Sequence, residues 1–362
     1  MKNNLKFKNI VSVNLLMYLA IIVVASVFLI FLDMNKYEYN YAISIIEKSL
    51  VYAVVALSMN IVTGFTGLFS LGQAGFMAIG AYVTAILTIP AVARPNVYYM
   101  NGILPALENA VLPMPVALII GGLVAAIFAA LIGIPVLRLK SDYLAIATLG
   151  FSEIIRAIIA APMMDKITNG SYGLKSIPGF KSSLECFIYS GICIVLMILI
   201  INSSTGRDFK AIREDEIAAR SVGINIFKTK ELSFVVSSFF TGVGGGLLAM
   251  FMRSIDSKTF QITLTYDILL IVVLGGIGSI TGSIVGAFFV TGGKELLRFF
   301  DEPLTIAGVN IPLFKPGFRM VIFSILLMVV VLFFRKGIIG GRELSFYGIL
   351  QKFKKKKVGG AA

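Results

Sequence analysis

No histidine and no tryptophan occur in this sequence, cysteine occurs twice, and charged residues make up only 14% of it. The missing histidine excludes Ser-His-Asp triads, Cys-His pairs, HExxH zinc sites and histidine-ligated haem together. Cys186 and Cys193 share one apolar run. At their spacing they stand about 10 Å apart along a helix, beyond disulfide reach, and read as inert packing residues. A G-x-x-x-x-G-K-[ST] phosphate loop is also absent, since Gly292-Gly293-Lys294 is followed by Glu295 and lacks the upstream glycine. If ATP is used, another chain binds it. Soluble domains carry about 25% charged and 45–50% apolar residues. Here 57% of 362 residues are hydrophobic and the mean hydropathy is +0.92, which leaves too little polar surface for a water-soluble globule. These absences point to a polytopic membrane protein and end most enzyme hypotheses.

What is present is a series of long apolar runs. Residues 11–32 form one of about 33 Å if helical, enough for a hydrocarbon core of about 30 Å and too long for a signal-peptide core. Further runs occupy 42–62, 68–89, 116–137, 142–161, 184–202, 231–252 and 317–334. Between 264 and 292 a run is interrupted by Gly275-Gly276-Ile277-Gly278-Ser279, leaving two arms that are either tight spans or re-entrant half helices. The expected fold is all-α, a polytopic membrane protein with about 8–10 transmembrane helices including this glycine-broken or re-entrant pair. It divides into a cytoplasmic N-terminus at 1–10, a transmembrane domain at 11–334 with a cytoplasmic loop at 203–230, and a basic cytoplasmic tail at 335–362.

Lysine and arginine outnumber aspartate and glutamate 32 to 19, a net charge of +13. Parity of the spans places 63–67, 138–141, 203–230 and both termini on one side. Those segments hold Lys2, Lys6 and Lys8, then Arg138 and Lys140, then Arg207, Lys210, Arg213, Arg220, Lys228 and Lys230. The C-terminal segment adds Arg335, Lys336, Arg342, Lys352 and Lys354 to Lys357. Such clustering follows the positive-inside rule for a plasma (bacterial inner) membrane protein with both termini cytoplasmic. It makes the charge topological, with no nucleic-acid partner implied. The Lys354 to Lys357 run can also hold anionic membrane lipid.

The loop at 203–230 has a helical centre, with Ala211, Ile212, Ala218, Ala219 and Val222 on one stripe, opened by Gly206 and closed by Gly223. Arg207, Lys210, Arg213 and Arg220 balance Asp208, Glu214, Asp215 and Glu216, so the helix is amphipathic, neutral and small-faced, suited to a protein groove.

This loop, with Lys230-Glu231-Leu232-Ser233-Phe234 and the glycines Gly242 to Gly246 after it, resembles the coupling segment of permease subunits of branched-chain amino acid ABC importers. The general importer pattern is E-A-A-x-x-x-G. Ala218, Ala219 and Gly223 match it, while the glutamate slot holds Ile217 and the acid stands one earlier, at Glu216. Two more blocks carry the resemblance. Ser58 to Phe76 is similar to the family's L-N-x-x-x-G-x-x-G-x-x-S-x-G-x-x-x-F block. Ser141 to Phe151, with Glu153 and Arg156, looks like the block that marks the M-type of the two homologous permeases. The resemblance spans roughly residues 45–340; Arg335-Lys336-Gly337-Ile338 departs from the family's R-P-x-G-L form.

The resemblance implies a non-catalytic importer subunit. It would pair with a homologous permease, two cytoplasmic ATPase subunits and an extracytoplasmic substrate-binding protein, with ATP and magnesium bound by the ATPases and no cofactor on this chain. Arg213, Glu216, Ala218, Ala219 and Gly223 would then serve ATPase coupling. The implied cargo is branched-chain amino acids, with urea or amides, nucleosides or sugars as alternatives within the class. A stand-alone secondary transporter is the alternative outside it.

Polar residues at membrane depth are the candidates for the translocation path. Asn60, Thr63, Thr66, Ser70 and Gln73 surround a glycine-rich break, where exposed backbone groups can hydrate a zwitterion. The same residues also suit interhelical hydrogen bonding. Thr148 belongs to the same candidate path. Glu153, eleven residues past Asp142, falls near the midplane with Arg156 one turn on as its expected partner, either as a packing ion pair or beside the path. Gly242-x-x-x-Gly246 and Gly282-x-x-x-Gly286 are expected to serve close helix packing.

Overall fold

The computed structural model describes residues 23–297 apart from 101 and 140, together with 301, 305–306, 309–310, 321–325, 328 and 337. The expectations for 1–22, for most of the run at 317–334 and for the basic tail lie outside the described residues. So do Lys2, Lys6, Lys8 and Lys140.

Apolar runs become helices almost where the sequence places them. They are α1 Val23–Met34, α2 Lys36–Asn60, α3 Gln73–Thr88, α4 Met114–Val136, α5 Ser141–Ala160 and α6 Ser183–Asn202. Then follow α7 Ser204–Glu214, α8 Glu216–Ser221, α9 Ile226–Met252, α10 Ile262–Gly275 and α11 Ile280–Leu296. Five of the described helices are long and apolar enough to cross a membrane, and the chain is an all-α polytopic membrane protein. The β structure among the described residues is minor: a two-residue pair, Thr305–Ile306 with Val309–Asn310, and a lone bridge between Leu174 and Ile255.

The centre is made by α2, α3 and α9, whose middle turns are buried on every side. Small residues make that possible. A Cβ on Gly80 of α3 would collide with the Gly242 carbonyl of α9, and one on Gly245 with the Met77 carbonyl, so these backbones touch. The glycine pattern expected to serve packing does so. The outer helices carry the opposite signature. Ile119, Leu123, Ile127 and Leu131 on α4 and Ile188, Ile192, Val195 and Leu199 on α6 are exposed. In water that belt would be an aggregation surface; in a bilayer it matches the solvent.

The glycine-interrupted run becomes two antiparallel helices, α10 and α11, of 14 and 17 residues, about 21 and 25 Å. They meet at Gly275, Gly282 and Gly286. Each is short for a hydrocarbon core of about 30 Å, and they shelter against α2.

Tertiary contacts sort the loops into two ends, as parity requires. At the end away from the coupling segment, Leu104 N donates to Lys166 O at 3.1 Å and Asn169 Nδ2 to Val97 O at 3.0 Å. There too, Asp33 accepts hydrogen bonds from Ser182 and Ser183. The turn at 276–279 joins the opposite end, with 61–67 and 203–230.

Candidate functional site

The loop at 203–230 begins with Ser203, whose hydroxyl caps α7 by accepting from Gly206 N. The single helix expected from Gly206 to Gly223 is instead two. Asp215 leaves helical geometry, at φ −160° and ψ 114°, and its carboxylate accepts from Ile217 N at 2.7 Å and Ala218 N at 3.1 Å. A short acid gains more by capping a new helix than by continuing an old one. Gly223, at φ +90°, ends α8, and the Asn225 side chain caps α9.

This break also corrects the expected stripe. Ile212 and Ala219 are buried with Ile226, while Ile217 is 80% exposed and Val222 77% exposed, with Ala218 and Gly223 beside them on the outer side. Glu216 is ion-paired to Lys230, tying α8 to α9. Next to the pair lies an open groove of about 470 Å³ walled in part by Arg138, Arg220 and Phe227.

The Arg213 side chain, 37% exposed and ion-paired with Glu214, reaches back to the bundle with one end of its guanidinium. Its Nη1 donates to the Gly64 carbonyl at 2.9 Å, and its stem packs on Gly67. Gly64 lies in the π-helical turn Ile61–Phe65 that ends α2. Directly behind it, Asn60 clamps the α10–α11 turn: its Nδ2 donates to Ser279 O at 3.0 Å and Ser283 Oγ at 2.7 Å, and its Oδ1 accepts from Gly278 N at 2.8 Å. A Cβ on Gly64 would collide with the Asn60 carboxamide and the Gly278 nitrogen, so only glycine lets the three pieces meet. The result is a joint in which the 203–230 loop, the end of α2 and the α10–α11 turn share a few hydrogen bonds.

The remaining path candidates stand mostly in interhelical networks. Thr241 Oγ1 donates to Gln73 Oε1 at 2.7 Å and lies 2.8 Å from Ser58 Oγ, while Ser237 donates to the Ser58 carbonyl. Thr148 Oγ1 accepts from Leu71 N at 2.9 Å, pinning the extended piece between α2 and α3 to α5. Ser70 is buried beside Gly72 N, and the buried Thr63 hydroxyl has no hydrogen-bond partner. Glu153 forms the expected pair, accepting from Arg156 Nε at 2.7 Å, with both side chains about one-third exposed and Ile154 and Ile158 outermost on the same helix. Asn60 is therefore brought to the coupling end, Gln73 and Thr148 to helix seams, and Glu153 to the rim of the bundle.

Sequence reasoning placed Gly278 and Ser279 in the glycine break but missed them, with Ser283, as partners of Asn60. It also missed the meeting of Lys48 and Asp267, charges inside apolar runs, with Lys294 just past the end of one; their positions in the runs are the available signal. At the far end, Arg94 is buried without a carboxylate partner among the described residues. It donates to the carbonyls of Ile86, Ile89 and Ala110 at 3.0–3.1 Å. Burial pushes its guanidinium down from the usual value while Tyr98 opposes the shift, and burial pushes Tyr98 up to about 12.

Residues 41–332 match a family model described as the branched-chain amino acid transport system permease component. The chain is 34% identical to the high-affinity branched-chain amino acid transport system permease protein LivM of Escherichia coli K12, over 72% of this chain and 64% of that protein's length. It is 25% identical to a probable branched-chain amino acid transport permease protein LivM of Methanocaldococcus jannaschii, over 80% of this chain and 90% of that one. To the same organism's probable LivH it is 26% identical, over 71% and 81%. No solved structure matches. The bundle, its glycine seams and its broken loop are thus those of a chain that belongs to the family of branched-chain amino acid transport system permease components.

Proposed function

We propose that this chain is a transmembrane permease subunit of an ATP-driven importer and that it moves branched-chain or other aliphatic amino acids. The single observation that carries the reading is the family match over 41–332. The exposed Ile217 and Ala218 on α8 and Val222 after it, beside the Arg213 hydrogen bond to Gly64, support it. In this reading a homologous permease pairs with the chain, two ATPases hold ATP and magnesium, and an extracytoplasmic binding protein delivers the cargo. The chain itself performs no chemistry. ATPase closure pushes on α7 and α8, and Arg213 passes the movement to the joint of Gly64, Asn60 and Gly278. Nucleotide and loaded binding protein must stabilise different states of that joint for transport to be driven.

The test is purification of the complex from its native membrane and reconstitution into liposomes with the binding protein. The expected result is co-purification of an ATPase and L-leucine uptake that needs ATP. Uptake by the chain alone, driven by an ion gradient, would overturn the reading in favour of a secondary transporter.

A further inference from the structure

Three polar groups that the transport reading leaves unused converge on one crevice between α2, α10 and α11. Two adjoining cavities, of about 40 and 100 Å³, share Lys48 and Thr291 in their walls. The smaller is also walled by Tyr52, Asp267 and Lys294, the larger by Ser44 and Glu295. Asp267 is already satisfied by Lys294 at 2.6 Å, and Glu295 is engaged in an interaction of its own. By contrast, the Lys48 ammonium and the Tyr52 and Thr291 hydroxyls have no hydrogen-bond partner among the described residues.

Lys48 stands twelve residues beyond Lys36 in α2, about 18 Å along the axis and inside an apolar run. An ammonium at that depth is costly unless something pairs with it, and such charges usually mark a binding function. Ile271 and Val290 complete the wall of the smaller cavity, so a counter-charge there is screened less than in bulk water. The smaller cavity's wall carries two ammonium groups against one carboxylate, and what is unfilled there is donors. Across both cavities Lys48 has no ion pair among the described residues, Asp267 being held by Lys294 and Glu295 being engaged elsewhere. A group with a negative charge and several lone pairs compensates it and accepts from all three donors.

We propose that the Lys48 crevice binds an oxyanion, a carboxylate or phosphate group, presented by a small solute or by a phospholipid headgroup. The site stands apart from the transport reading, because a lipid oxyanion would occupy it in a protein that moved nothing.

The test uses the full chain, in the complex with which it purifies, in an uncharged maltoside detergent. An amine-reactive reagent is applied, and modification of Lys48 is read by peptide mass spectrometry against the exposed Lys36. The arms are detergent alone, added phosphatidylglycerol, added L-leucine, and added L-leucinamide, which lacks the carboxylate. Protection of Lys48 by phosphatidylglycerol identifies a headgroup site, and protection by leucine but not leucinamide identifies a solute carboxylate site. In Thr291→Val the protecting ligand should bind about tenfold more weakly, the loss of one charge-assisted hydrogen bond. Labelling of Lys48 that is the same in every arm, whether rapid or absent, overturns the proposal, as does undiminished protection in Thr291→Val.

Discussion

The two ends of the bundle are tied in different ways. At the far end, the loops fold back on the helices and satisfy one another: Arg94 closes three carbonyls, Asn169 bridges to Val97, and Ser182 and Ser183 hold Asp33. At the coupling end, the corresponding joint rests on one arginine hydrogen bond and one asparagine clamp between backbones thinned to glycine. The first arrangement resists movement, because opening it orphans several buried carbonyls at once. The second can change partners at the cost of a few hydrogen bonds. Stability and coupling should therefore separate between the two ends.

The sharpest way to break that comparison is Arg94→Ala, which strands three carbonyls and should cost about 3 kcal/mol or more, read as a fall in the thermal unfolding midpoint of the purified protein. If the protein melts as wild type does, the far end is not the rigid one. Next is Asn60→Leu, which removes the clamp at a loss of about 2–3 kcal/mol in stability. Here the expected signature is a disproportionate loss of uptake, about tenfold or more, in protein that still assembles. Equal losses of stability and uptake would make Asn60 a packing residue only. Arg213→Gln should leave the melting temperature within about 0.5 kcal/mol of wild type, as for an exposed substitution, while uncoupling ATP hydrolysis from uptake. Coupled transport at the wild-type rate removes Arg213 from the transmission route. Asp215→Ala, which loses the cap of α8, should cost about 1 kcal/mol and fray that helix, detectable by hydrogen exchange at Ile217 and Ala218. Smallest is Glu216→Gln: the Glu216 side of its ion pair with Lys230 is half exposed, so a change of about 0.2–1 kcal/mol is expected, shrinking further at high salt.

Much of this architecture is legible along the chain. The helices α2 to α6 and α9 lie within a few residues of the apolar runs, and α10 and α11 fall either side of the glycine break. The Glu153–Arg156 pair is legible too, because three residues on a helix always bring such side chains together. Within the coupling loop the reading failed at Asp215. Helical periodicity continues through it, and the competing hydrogen bonds of one carboxylate decide where the helix stops. That stop rotates Val222 and Ala218 to the outside and leaves Ala219 within.

Membrane class, the positions of the described spans and the absence of histidine chemistry follow from composition and spacing. They depend on free energies of transfer and on helix geometry, which act residue by residue. The direction Arg213 faces, the Asn60 clamp on a turn 218 positions away, the burial of Gln73 and Thr148 in helix seams and the meeting of Lys48 with Thr291 depend on packing. Side chains so distant in sequence have no shared local signal, and only the close approach of glycine-faced helices brings their hydrogen-bonding groups within reach.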